Sequence, residues 1–172
     1  MSELDDTVER MQACLSLQDV FIRKASAELL SGFDAKHSSE PLSIQLKFNP
    51  HGEAESILLK SAGDGVEESR LLRYAIETGV RFLAEKVGES KKQEVRAEIL
   101  ATFVVDYFVT DDSCLSDNSV AKFAENVIYH VWPYWREFVQ TSANRLRLPP
   151  AVLPPYKLRR KKSLHLSETS KT

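Results

Sequence analysis

Val131-Trp132-Pro133-Tyr134-Trp135-Arg136-Glu137-Phe138-Val139, running down to Leu148-Pro149-Pro150-Ala151-Val152-Leu153-Pro154-Pro155-Tyr156, is the stretch from which the fold is read. It places both tryptophans of the chain and a proline within one amphipathic helical pattern. A proline inside a helix removes a hydrogen bond and crowds the carbonyl four residues back, at a cost of roughly 3 kcal/mol. Packing around it, or a needed bend, has to offset that cost. The four prolines of the second segment then forbid any continuation of the helix and predict an extended exit. Upstream, Val120, Phe123, Val127, Val131, Trp135 and Phe138 form one apolar row, and Ala124, Ile128, Trp132 and Val139 a second. Two rows exceed what one sheet face covers, which predicts a subunit interface or a binding groove along this helix. Asp117, Asn118 or Ser119 is the expected N-cap.

Before this helix the pattern changes from a period of 3.6 to a period of two. Leu4, Val8, Met11 and Leu15 at helical spacing predict a short N-terminal helix over residues 2–14. Val20-Phe21-Ile22 opens a strand whose Arg23, Lys24, Ser26 and Glu28 suit a wet edge. Leu42, Ile44, Leu46 and Phe48 alternate with polar residues, Asn49-Pro50-His51-Gly52 has turn chemistry, and Ile57-Leu58-Leu59 is a shorter apolar run. Leu72 to Leu83 fits a helix through Leu72, Ala75, Ile76, Val80 and Leu83. It also fits a strand with Leu72, Tyr74, Ile76, Thr78, Val80 and Phe82 on one face. Thr78-Gly79-Val80 is poor helix interior and favours the strand. Val95 to Val109 alternates throughout, with Leu100 and Val104 adding apolar residues to its second face, as in a central strand. Gly63-Asp64-Gly65 and Gly88-Glu89-Ser90-Lys91-Lys92 are the expected connections, the second closing an antiparallel hairpin. The count is four or five strands, and the class α+β: an antiparallel sheet with a long kinked C-terminal helix.

Composition bounds the function. At 172 residues, 42% apolar and 28% charged, the chain suits a single soluble domain with a real core. Residues 157–172 hold six Lys or Arg against Glu168, leaving 17 basic and 24 acidic residues in 1–156. A body at −7 does not suit nucleic-acid binding. The expected organisation is a domain over 1–156 and a basic, disordered tail over 157–172. No apolar run reaches the ~20 residues of a membrane span, and the acidic N-terminus does not read as a secretory signal. Cys14 and Cys114 are far apart without a spacing motif, which predicts reduced thiols in a cytoplasmic protein. No nucleophile elbow, phosphate loop or dinucleotide fingerprint is present, and His37, His51, His130 and His165 share no ligand spacing. A non-enzyme without metal or cofactor is expected, with His130 a hydrogen-bonded structural residue.

From Phe123 to Tyr156 the chain resembles the SecB protein-export chaperones and their divergent SecB-like members. Pro133, Tyr134, Arg136, Glu137, Arg145, Pro149, Leu153 and Pro154 sit where that family's pattern has them. Trp135 departs from it, a small residue being usual there. The exit into Lys157-Leu158-Arg159-Arg160-Lys161-Lys162 replaces the second helix and acidic terminus of better-known members. Earlier in the chain the likeness is one of element order, and the family's sheet has four strands, so Ile57–Leu59 could simply extend its neighbour.

The resemblance implies a homotetramer, a dimer of dimers, holding unfolded proteins without ATP. Its clients would be preproteins handed to the SecA motor, or an antitoxin guarded in a toxin–antitoxin system. It places client grooves and subunit contacts on the helix. The expected wall or interface residues are Phe123, Val127, Trp132, Trp135 and Phe138, with Tyr74, Ile76 and Phe103 from the sheet. A different class stays open: an oligomeric adaptor or ligand-binding module serving a single partner.

Overall fold

The computed structural model describes residues 3–30, 32–49, 53–60, 68–84 and 93–156. Helix α1 (Glu3–Cys14) passes without a loop into β1 (Leu15–Leu29). Then come β2 (Leu42–Phe48), β3 (Glu53–Lys60), β4 (Glu68–Ala84) and β5 (Val95–Val109). A 3-10 turn (Asp112–Cys114) leads into α2 (Asp117–Arg145), and an extended segment reaches Tyr156. The architecture is α+β, an antiparallel five-stranded sheet with a long C-terminal helix. The expected connections at Gly63–Gly65 and Gly88–Lys92, most of the Asn49–Gly52 turn, and the basic tail lie outside the described residues.

The strand order is β1-β5-β4-β2, with β3 also on β4. Leu42 pairs with Ala84 and Phe48 with Thr78; Glu53 then pairs with Ala75 and Lys60 with Glu68. β2 and β3 thus lie end to end along one edge of β4, running in the same direction. β3 continues the line of β2, so the sheet of five strands is four strands wide.

The ambiguous Leu72–Leu83 segment is strand. Its even-numbered residues from Leu72 to Phe82 are buried, and they face the same side as odd-numbered residues of β5, since Ile76 pairs with Phe103 and Val80 with Ile99. Gly79 explains the triplet that argued against a helix. A Cβ there would come within 2.9 Å of the Leu100 side chain, its cross-strand partner, so glycine leaves the room that Leu100 fills. β5 is central as predicted, and Val104 is fully buried on its second face, opposite Phe21 of β1.

The N-cap of α2 is Ser116, one residue earlier than predicted. Its hydroxyl accepts from the Ser119 N–H at 3.2 Å, while the Ser119 hydroxyl accepts from the Ser116 N–H at 2.8 Å. Serine takes the N3 role that sequence rules give to Glu or Gln, so the box was not legible as one. At the far end, the Leu148 N–H reaches the Ala143 carbonyl at 2.9 Å and the Arg147 N–H the Asn144 carbonyl at 3.1 Å. Arg147 holds φ 56°, the left-handed position usually taken by glycine at helix ends. Leu148 is buried beyond it, and the prolines follow.

Candidate functional site

Helix α2 crosses the face of the sheet formed by the even residues of β4 and the odd residues of β5. Aromatic rings set the contact. Tyr107 meets Phe123 edge-on at 5.6 Å and Tyr74 at 6.0 Å, while Phe103 meets Trp135 edge-on at 6.2 Å. The Tyr74 hydroxyl donates to the Val120 carbonyl at 3.0 Å. Burial pushes the Tyr74 and Tyr107 hydroxyls well above their ordinary pKa, so both stay protonated.

The second apolar row is covered by the chain itself. Trp132 lies between Phe48 of β2 at 5.1 Å and Tyr156 at 5.2 Å, and its indole N–H donates to the Pro154 carbonyl at 2.9 Å. Leu148, Ala151 and Leu153 of the extended exit are buried beside it. The prolines therefore do more than end the helix; they keep the exit extended, where it packs on the Trp132 row.

The structure places most of the expected wall residues in the core of the chain. Tyr74, Ile76, Phe103, Phe123, Val127 and Trp135 are at most 1% exposed, and Trp132 is 7% exposed. They come together as the core, and no client reaches them while the helix stays on the sheet. Phe138 alone among the eight is half-buried, stacked on Trp135 at 6.1 Å. The two-row signal was sound, but the sequence could not show that an extended exit and an edge-strand Phe would absorb the excess.

The exposed apolar side chains lie elsewhere. Cross-strand partners share a sheet face. Leu17 pairs with Tyr107 and Ile22 with Phe103, while Ile44 pairs with Phe82 and Leu46 with Val80. All four therefore face the helix side, and all four are exposed, between 37% and 45%. They form two apolar strips, one on β1 and one on β2, flanking the band that α2 covers. The alternation of Leu42–Phe48 carried this signal for the β2 strip. On β1 the register shifts between Leu17 and Asp19 and between Ile22 and Lys24 break the period of two and hid it.

The outward side of α2 is a third surface. Tyr129 and Tyr134 are about half exposed, and Pro133 and Glu137 are also exposed. Pro133 thus sits on the wet side, where the Tyr129 carbonyl that loses its helix partner can meet water. Of the motif residues, Glu137 accepts from the Thr141 hydroxyl at 2.8 Å, and the buried Arg136 Nε has no partner among the described residues. His130 is half-buried, its Nδ1 2.7 Å from the Tyr107 hydroxyl. Desolvation lowers its pKa from 6.5.

The opposite sheet face carries charge. Arg73 forks onto Asp106 with two bonds of 2.7 Å and lies over the Phe21 ring at 5.9 Å. Arg81 bonds Glu98 at 2.6 Å. Among the described residues, no cluster of three metal-ligating side chains exists, and no helix is long and apolar enough to cross a membrane.

No family model matches the chain, and no curated protein does. A solved structure similar in fold is the Mycobacterium tuberculosis Rv1957 SecB-like chaperone in complex with a ChAD peptide from the Rv1956 HigA1 antitoxin. It aligns with a TM-score of 0.64 at 15% identity, over 90% of this chain and 99% of that one. A Streptococcus agalactiae protein of unknown function aligns with a TM-score of only 0.31 at 9% identity, over 81% of this chain and 96% of that one. The first likeness establishes a SecB-like fold.

Proposed function

We propose that this protein is a SecB-like holdase of the cytoplasm, which binds extended apolar segments of unfolded proteins without nucleotide. The observation that carries the reading is the pair of exposed strips, Leu17 and Ile22 on one side of α2 and Ile44 and Leu46 on the other. An extended client laid against a strip would bury side chains between strand and helix. Along β1 it would also meet a strand edge that no other described strand occupies, where main-chain hydrogen bonds add affinity without selecting sequence. Trp132 and Phe138, at the margin of the core, would border such a groove. An acidic body at −7 over residues 1–156 keeps a protein with open apolar strips soluble.

The outward stripe of Tyr129, Pro133 and Tyr134 is the proposed helix contact of a homotetramer. The neighbour holding an antitoxin peptide supports an antitoxin as one client class; preproteins bound for the SecA motor are the other. Aggregation of two unrelated denatured substrates, followed without nucleotide, tests the function. Stoichiometric protection of both is expected. If neither is protected and no complex forms, a single-partner adaptor takes the holdase's place.

A further inference from the structure

The two cysteines, a hundred residues apart in sequence, meet in the fold. Cys14 is the last residue of α1, and Cys114 closes the 3-10 turn just before the cap of α2. Thr110 holds the two ends together: its N–H and its hydroxyl both donate to the Cys14 carbonyl, at 2.8 and 2.9 Å. The Cys114 thiol donates to the Asp111 carbonyl at 3.0 Å, and Cys14 is a near enough neighbour to raise its pKa. Both residues are half-buried and unbridged. A cavity of about 200 Å³ opens beside Cys114, lined by Thr7 and Arg10 of α1 and by Ser119 among others.

We propose that Cys14 and Cys114 form a reversible intramolecular disulfide when the protein meets a peroxide, stapling the α1–β1 junction to the start of α2. Burial and the Cys14 contact push the Cys114 thiol up to about 12, so at neutral pH it keeps its proton. The first step is assigned to Cys14, half-buried like its partner. Its sulfur attacks one peroxide oxygen, the O–O bond breaks, and a sulfenic acid and one water form. The Cys114 sulfur then displaces the sulfenic hydroxyl, which leaves with the Cys114 proton as a second water. Two thiols lose two electrons in all, and hydrogen peroxide takes them. A dithiol reductant reverses the bond by exchange. Thr110 holds the Cys14 backbone to the segment that leads into this turn.

The test treats the folded full-length chain with hydrogen peroxide, blocks remaining thiols with a maleimide, and measures intact mass and non-reduced peptides. The expected product has lost two hydrogens, takes no maleimide, and yields one peptide pair joined through Cys14 and Cys114. Its thermal midpoint should exceed that of the reduced protein and return on reduction. Cys114→Ser should stop at the sulfenic acid or its further oxides on Cys14, with no rise in midpoint. Separate oxidation of the two cysteines, bonds only between chains, or thiols still open to maleimide would each overturn the proposal.

Discussion

Arg147 holds a left-handed backbone that costs a residue with a Cβ roughly 1 kcal/mol or more. Its side chain is exposed, so little is lost by removing it. Arg147→Gly should therefore stabilise the protein by about 0.5–1 kcal/mol, the greater freedom of glycine in the unfolded chain taking back part of the gain. A shifted urea midpoint at unchanged slope checks this. Trp135 carries a different strain: its indole N–H is buried with no partner among the described residues. Trp135→Phe removes that donor while keeping a ring against Phe103, and should cost far less than the ~3–5 kcal/mol expected for Trp135→Ala. His130 sets a pH limit. Its folded-state pKa lies below the ordinary 6.5 because burial disfavours the cation. Its contribution is complete above pH 6.5 and declines as pH falls below that, where the unfolded chain takes up the proton first. The difference in stability between pH 7 and pH 5 should shrink in His130→Gln, measured by denaturant titration at both values.

At the scale of elements, regular periodicity was legible and irregular pairing was not. The even face of β4 and the odd face of β5 follow directly from alternation, because a period of two leaves each side chain one choice of face. The Ser116–Ser119 box escaped because its second serine lacks the Glu or Gln that marks the motif. The contiguity of β2 and β3 escaped because it lies in the register against β4, two residues out of step across the break, and not in either segment's composition. The core position of most expected wall residues was not legible for a related reason: a hydrophobic row reports burial but not the partner that buries it. The Arg73–Asp106 fork, which ties β4 to β5 with Asp106 7% exposed, was invisible to any local rule. Asp106→Ala leaves Arg73, among the described residues, with Glu55 at 4.0 Å as its one acidic partner and should cost about 1–3 kcal/mol. The double variant with Arg73→Leu should recover much of that loss, which a mutant cycle would show.

For the whole molecule, the two strips and the helix stripe make separable predictions. Ile44→Asp with Leu46→Asp should weaken client binding about tenfold or more, since each partly buried side chain contributes on the order of 1 kcal/mol. Its light-scattering mass should stay that of the wild type. Tyr129→Glu with Tyr134→Glu should instead lower that mass, and a wild-type protein that is monomeric at micromolar concentration would remove the assembly from the proposal. Client binding should show a negative heat-capacity change and persist in moderate salt, because apolar burial drives it. Deleting residues 157–172 should leave the thermal midpoint unchanged, as the packed exit ends with Leu153 and Tyr156, before the cut.

The pairing of β1 with β5 has a consequence for synthesis. Leu15 meets Val109 and Leu29 meets Ala97, so the strand made first must wait for a partner 68 to 94 residues behind it. At ordinary translation rates that wait is on the order of ten seconds. During it, Leu17, Phe21 and Ile22 hang from the ribosome in an unpaired chain, while β4 and β5 close their own ladder as soon as both have emerged. If the proposed holdase activity holds, a protein that shelters unfinished chains passes through the same exposed state itself, and earlier copies would be the first shelter within its reach.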